Sequence, residues 1–346
     1  MSIFLTNFLK NFSSGQDTGH FKNAKVHQVE FMYSAGNKLG NYKTTCNVFQ
    51  MGRLTKEEKF TNTVVLTLHD FGLNSFTNYA TLFQSEEMKP MLKNFTCFHI
   101  DFPCMTSPDL INSAGNNNVD MQSATATAWD RNLIYPSFDE LAKAAIPAIL
   151  DHFSFTQVIL ISTGAGANVA LRFSLNAPEK VMGLIMINPI YGQIGWGEWF
   201  SSKLGFTQPT TQENVLSYLF NPYRLSDSSD DLVEATKANL KYMDSGALAG
   251  FEKSLLERSY IQIDRPTGIP NQDKTLNTLN VPTCMILGDE LVTFRYEDAM
   301  ELNGFLNPKD SNFCKLADCG CMAHEEQPVK VGECIRLFLQ GLGYCK

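Results

Sequence analysis

Residues 160–167 read Leu-Ile-Ser-Thr-Gly-Ala-Gly-Ala and join an apolar run to a helical pattern. A strand–turn–helix junction of the form G-x-S-x-G lifts a nucleophilic serine above a sheet, and the next N–H then donates to the oxyanion. Here Gly166 holds the last glycine of that pattern, Gly164 the nucleophile's place and Ser162 the place of the first glycine. Glycine takes the positive φ of such a turn without steric cost, so the turn is expected to persist while its hydroxyl is gone. The acid and the base of a triad follow later in the chain. Asp289 stands just beyond the run Pro282–Gly288, with Leu291 in the commonest acid slot, and Gly320 is followed by Cys321 where a histidine is needed. Gly164, Asp289 and Cys321 are thus the degenerate triad positions, and no catalytic residue is expected among them.

Neighbouring groups offer other chemistry. Ser162 and Thr163 precede the turn, where a strand-end side chain usually points into the sheet, and neither has an identifiable histidine partner in the sequence. A hydroxyl without an adjacent base forfeits a factor of about 10²–10⁴. A hydrolase with Ser162 or Thr163 as displaced nucleophile is therefore the weaker alternative. A Cys321 thiolate needs an electropositive setting, which Asp318 opposes. Cys319, Cys321 and His324 make a C-x-C-x-x-H pattern that lacks the fourth ligand of a zinc site. A loop standing in for the histidine loop accounts for the same residues, with His324 packing or capping. No metal and no cofactor are expected, and Gly164 with Gly166 lacks the third glycine of a dinucleotide fingerprint. His69, Asp70, Phe71 and Gly72 occupy the loop that supplies one oxyanion donor, and Ala165 supplies the other. Backbone donors do not depend on side-chain identity. A vestigial pocket over His69–Gly72, Gly164 and Ala165 is thus expected to remain, and a small-ligand sensor taking a carboxylate or acyl group is a further reading.

Positioning these residues requires strands that end at 69 and 163. Residues 25–52 hold two extended segments. TVVLTLH (63–69), FTCFHID (95–101), QVILIST (157–163), GLIMINP (183–189), PTCMILGD (282–289) and SNFCKLAD (311–318) follow as near-continuous apolar runs, as strands buried on both faces require. Helical patterns lie between them, and Ser137 with Glu140 forms a capping box that opens SFDELAKAAIPAILDHF. The alternation predicts an α/β protein with an eight-stranded, mostly parallel sheet and helices on both faces. Two segments break the pattern. Residues 104–132 are polar and read as an exposed loop insertion, whereas 191–265 are helical and read as a cap inserted between two strands. The expected organisation is an N-terminal segment 1–24, amphipathic or disordered; a core over 25–190 and 266–346; and the cap. Trp196, Trp199 and Phe200 at the cap entrance form an aromatic cluster expected to pack on the core, with partner contact as its alternative role.

Composition narrows the class. The 346 residues carry 28 Lys+Arg against 36 Asp+Glu, a net charge of −8, with no basic run, so a nucleic-acid partner is not expected. Mean hydropathy is −0.15, and no apolar stretch approaches the roughly 20 residues that span a bilayer. Nine cysteines without a disulfide-like spacing fit a reducing compartment. The first residues lack a basic n-region and a small-residue cleavage site, so a cytoplasmic location is expected. Phe4, Phe8 and Phe12 lie at helical spacing and leave contact with a membrane surface as an alternative to packing.

Ordered motifs over roughly 25–345 carry a resemblance. They are HDFGLN (69–74), the His99–Pro103 stretch HIDFP, YPSFDELA (135–142), TGAGAN (163–168), RFSLNAPEKVMGLIMINP (172–189), GWGEWFSSK (195–203), IDRP (263–266) and KLADCG (315–320). With them the chain resembles the NDRG (N-myc downstream-regulated) family, in which TGAGA and ADCG replace both nucleophile and histidine. The resemblance implies an α/β-hydrolase fold with a helical cap and no hydrolase activity. It also implies a cytoplasmic interaction or signalling protein in growth, differentiation or stress responses, acting through protein partners. Two departures stand out: the 104–132 insertion is longer than the family's usual loop, and Lys346 ends the sequence without the Ser/Thr-rich tail of some members.

Overall fold

The computed structural model describes residues 24–34, 41–51, 63–92, 94–106, 129–130, 133–192, 210–227, 229–269, 275–291 and 293–344. Most of the N-terminal segment, most of the 104–132 loop, and Trp196, Trp199 and Phe200 lie outside the described residues.

The chain opens with β1 (Lys25–Ser34) antiparallel to β2 (Asn41–Met51), and β2 is antiparallel to β4 (Phe95–Asp101). From β4 onward the sheet is parallel, through β3 (Thr63–Leu68), β5 (Val158–Thr163), β6 (Val181–Ile187), β7 (Thr283–Gly288) and β8 (Ser311–Leu316). The order is β1-β2-β4-β3-β5-β6-β7-β8, an eight-stranded, mostly parallel sheet as expected.

Alternation along each strand feeds two cores. Leu66, Leu160, Leu184 and Met285 face one layer, and Val65, Ile161, Ile185 and Ile286 face the other. On the second face lie α1 (Ser75–Gln84) and α2 (Met88–Met91). The capping box at Ser137 starts the first face's helices: α3 (Phe138–Glu140), a π-helical turn (Leu141–Ala145) and α4 (Ile146–Phe153). The π turn sits just before Pro147, whose missing N–H releases the ordinary i−4 bond. The elbow then launches α5 (Gly164–Asn176).

Between β6 and β7 the described chain forms α6 (Thr211–Leu219), α7 (Pro222–Ser226), α8 (Asp231–Leu240) and α9 (Ser245–Leu256). Thr210, Asn221, Asp230 and Asp244 cap them in turn, each side chain accepting a first-turn N–H. Their Val215, Tyr218, Leu248 and Phe251 join the first core over the carboxyl ends of the strands. The chain closes with α10 (Thr293–Phe305), β8, α11 (Ala323–Glu326) and α12 (Pro328–Gly341). Ile335, Phe338 and Leu339 of α12 cover the second face. Truncating any one of these buried aliphatics to alanine costs about 2–5 kcal/mol. Among the described residues no helix is long and apolar enough to cross a membrane.

Candidate functional site

The elbow keeps its backbone. Gly164 follows β5 directly with φ +45°, in the left-handed region that favours glycine. Gly166 lies so close to the backbone carbonyls of Leu68 and His69 that a Cβ would collide with them. The close approach of α5 to β3 therefore needs the second glycine as well.

The oxyanion loop is not an open donor pair. Asp70 Oδ1 accepts from the N–H of Phe71 at 2.7 Å and from the N–H of Ala165 at 2.7 Å. Tyr218 of α6 donates its hydroxyl to the same oxygen at 2.5 Å. Both backbone donors expected to remain available are thus taken by the chain's own carboxylate, which is 1% exposed. That corrects the expectation of a vacant acyl pocket. The physical reason is the missing side chain at 164: a Cβ there would fall on the Asp70 carboxyl group, so only glycine leaves room for it.

Further bonds lock this arrangement. Asn78 Oδ1 accepts from Asp70 N at 2.9 Å and from Thr163 Oγ1 at 2.7 Å. Ser162 Oγ donates to the carbonyl of Ile185 at 3.0 Å. Both hydroxyls weighed as displaced nucleophiles are buried and donate to oxygen acceptors rather than to a histidine base in these bonds. His69 is the ring nearest in sequence. Phe102 N–H donates to its Nε2 at 3.1 Å, which leaves Nδ1 as the donor to Asp70 O at 2.8 Å. Burial lowers its pKa, with Asp101 and Asp70 opposing, so it is a fixed neutral ring.

Aromatic rings fill the volume above. Phe251 of α9 stacks on Phe71 at 5.8 Å between centroids and contacts Phe102 at 5.6 Å, Phe138 at 5.5 Å and Tyr135 at 5.7 Å. Tyr218 meets Phe71 edge-on at 5.5 Å. Gly72, at φ +73°, lies where any Cβ would strike Val215 of α6. The inserted helices therefore seat directly on the His69–Gly72 loop.

The other half of the site is built differently. Asn188, left-handed at the end of β6, donates from Nδ2 to the carbonyls of Gly320 and Cys321, both at 2.9 Å, and accepts from Gly288 N at 2.9 Å. Cys321 is buried in the loop that a catalytic histidine would occupy, and His324 is buried in α11 with its ring 6.4 Å from that of Tyr79. Cys319 Sγ lies 3.6 Å from the Leu316 carbonyl. Among the described residues no three His, Cys, Asp or Glu side chains converge to hold a metal ion. Asp289 is exposed on the turn after β7. The structure thus brings Gly164, Ala165 and His69–Gly72 together, while Asp289 and Cys321 belong to a separate cluster of loops.

That cluster holds residues the sequence reading passed over. Glu326 accepts from Gly320 N at 2.6 Å and from Arg224 Nη1 at 2.5 Å, and Arg224 Nε also donates to Asp230 at 2.7 Å. Arg224 therefore ties α7 and the N-cap of α8 to α11. Glu325 beside it is 3% exposed. Burial pushes its carboxyl up to about 8, helped by the Glu326 charge and opposed by the Thr81 hydroxyl. Together with Arg224, Asp230, Asp231, Glu290 and Asp318 these groups line a polar cleft of about 430 Å³.

The comparisons with known proteins fit this picture. Solved structures that resemble the chain include an esterase from Thermogutta terrifontis, with a TM-score of 0.61 at 14% identity, covering 91% of this chain and 99% of that one. A meta-cleavage product hydrolase from Pseudomonas fluorescens gives 0.54 at 15%, covering 86% and 95%. Likeness at that identity establishes the α/β-hydrolase fold alone. In sequence the chain is 32% identical over 281 residues to Protein NDRG2 of Danio rerio, covering 81% of this chain and 68% of the relative. It is 31% identical over 280 residues to Protein NDRG4-A of Xenopus laevis, covering 81% and 66%. The chain thus spans about two thirds of the length of these relatives. With the profile of the Ndr family also matching residues 42–346, the chain belongs to that family.

Proposed function

We propose that this protein is a non-catalytic interaction protein on a degenerate α/β-hydrolase scaffold, acting in the cytoplasm through protein partners in signalling. The observation that carries the reading is the Asp70 carboxylate bound by the N–H groups of Phe71 and Ala165. In a hydrolase those donors stabilise negative charge developing on the substrate carbonyl oxygen. An internal carboxylate already there competes with a substrate by both shape and charge. The glycine at 164 and the cysteine at 321 remove the nucleophile and the base from their usual positions. The net charge of −8 points away from nucleic acid.

The test is labelling of the purified chain with a fluorophosphonate serine probe, beside Ser162→Ala and Thr163→Ala variants, together with turnover of short p-nitrophenyl esters. No labelling and no turnover above buffer is the expected result. Labelling lost in either variant overturns the proposal in favour of a hydrolase with a displaced nucleophile. The second reading, a small-ligand sensor, is supported by the same pair of N–H donors, which would suit a ligand carboxylate in place of Asp70. Its ligand must displace Asp70, so acetate should bind Asp70→Ala and not the wild type.

A further inference from the structure

The polar cleft between the inserted helices and the carboxyl ends of β7 and β8 carries more negative charge than its lining balances. Among the described residues Arg224 is the only cation there, and its guanidinium is held by Asp230 and Glu326. Asp230 also caps α8, accepting from Leu232 N at 3.0 Å and Val233 N at 3.1 Å, while Glu326 also accepts from Gly320 N. These three side chains satisfy one another. Asp231 at the start of α8, Glu290 after β7 and Asp318 after β8 are exposed along the rim and pair with no cation among the described residues.

The floor of the cleft adds an independent observation. Glu325 lines it while only 3% exposed, and neither of its carboxyl oxygens has a hydrogen-bond partner among the described residues. The Thr81 hydroxyl of α1 faces the group without completing a bond to it, and Glu326 repels its charge from the same helix. Empty, the carboxyl keeps its proton near neutrality, as its rise to about 8 requires. A buried acceptor without a donor is costly, and a ligand that brings one offsets that cost. The cleft's volume of about 430 Å³ lies within the ordinary range of ligand sites.

The chemistry of the lining selects the ligand. It must be positively charged, and among the described residues no three acidic, histidine or cysteine side chains converge to hold a metal ion. A guanidinium would seek the paired carboxylates Asp230 and Glu326, which Arg224 already occupies. A lysine brings a compact ammonium with three donors on a flexible four-carbon stem, and Leu232 offers apolar lining for such a stem. We propose that this cleft docks a lysine from a basic segment of a protein partner, its ammonium reaching Glu325 while neighbouring basic residues face Asp231, Glu290 and Asp318. On binding, the Glu325 proton leaves to solvent and a carboxylate–ammonium pair forms. The proposal rests on the reading that the chain acts through protein partners, and it adds the chemistry such a partner must carry.

The probe is pentalysine, with its side-chain-acetylated counterpart and spermine beside it. Each is titrated calorimetrically into the full chain at pH 7 in two buffers of different ionisation enthalpy. Pentalysine should bind and release about one proton, whereas the acetylated peptide should not bind. Glu325→Gln should weaken binding about tenfold or more and abolish the proton release. The exposed pair Glu290→Gln with Asp318→Asn should weaken binding and flatten its salt dependence, yet keep the proton release. Failure of pentalysine to bind overturns the site. Binding that is unchanged in Glu325→Gln, or that releases no proton, reflects the acidic rim alone and overturns it too. Spermine binding as tightly as pentalysine overturns the peptide assignment in favour of a small polyamine. None of these outcomes bears on catalysis: ester turnover or probe labelling overturns the non-catalytic reading and leaves the peptide titration standing.

Discussion

Asp70 and Glu325 are both buried carboxyl groups at the carboxyl ends of the strands, and they are held in opposite ways. One oxygen of Asp70 collects two backbone N–H groups and the Tyr218 hydroxyl. Glu325 is pushed up to about 8 by its burial beside Glu326, and so keeps its proton near neutrality. The first carboxyl fills the backbone donors of Phe71 and Ala165 at the elbow. The second sits beside the ion pair of Glu326 with Arg224. Buried polar groups at such strand ends must still be satisfied. The elbow half does so with a plug from within, the histidine half by tying inserted helices to the core.

The largest effect should come from restoring a side chain at the elbow. Gly164→Ser places a Cβ on the Asp70 carboxyl group at a positive φ, and should destabilise by on the order of 4 kcal/mol in urea unfolding. Asp70→Ala combined with Gly164→Ser should fall short of the sum of the single losses by about 1–3 kcal/mol. Additive losses would separate the two residues and break the comparison at its centre.

Glu325 sets the next. A carboxyl whose folded pKa is raised from 4.5 to about 8 binds a proton in the native state that the unfolded chain has lost. Stability should therefore fall as pH rises from 4.5 to 8, by on the order of 1 kcal/mol per pH unit. Glu325→Gln should flatten that slope, and melting scans across the window check it. An unchanged slope would assign the proton elsewhere.

Tyr218→Phe removes one of the three donors to Asp70 Oδ1, and should cost about 2 kcal/mol. The loss should shrink when Asp70 is already alanine. Arg224→Met breaks the tie to Asp230 and Glu326, and should cost about 1 kcal/mol, since Arg224 is 27% exposed. It also changes the acid limb. Asp230 is held below 3.8 by Arg224 and by the α8 N–H groups against the cost of its burial. Its contribution is full above 3.8 and is lost as pH falls through the lower folded value, so the variant should unfold less steeply there.

Much of the scaffold was legible because its signals are local. The apolar runs of β3 to β7 mark strands covered on both faces, and the Ser137 and Glu140 capping box appears with Ser137 N donating to Glu140 at 2.7 Å. The glycines of TGAGA likewise disclosed the turn. The partners in the site were not legible, because they are set by tertiary approach. Nothing in HDFGLN says that Asp70 folds back onto Ala165, 95 residues later, or that Tyr218 comes down from α6 to meet it. One signal was available in hindsight: glycine rather than alanine at 164 leaves a volume of one side chain for something else to occupy. The Arg224 to Glu326 tie, across 102 residues, had no sequence signature at all.

The Asp70 and Gly164 pair also limits which substitutions this chain accepts. Introducing a serine at 164 while Asp70 remains drives a side chain into its carboxyl group, and removing Asp70 first strips the acceptor from two buried amides and a phenol. Either single change thus disturbs a buried network, whichever comes first. The two positions are thus sterically coupled: a side chain at 164 and the Asp70 carboxyl group exclude one another, so a change at either position alters what the other can accept.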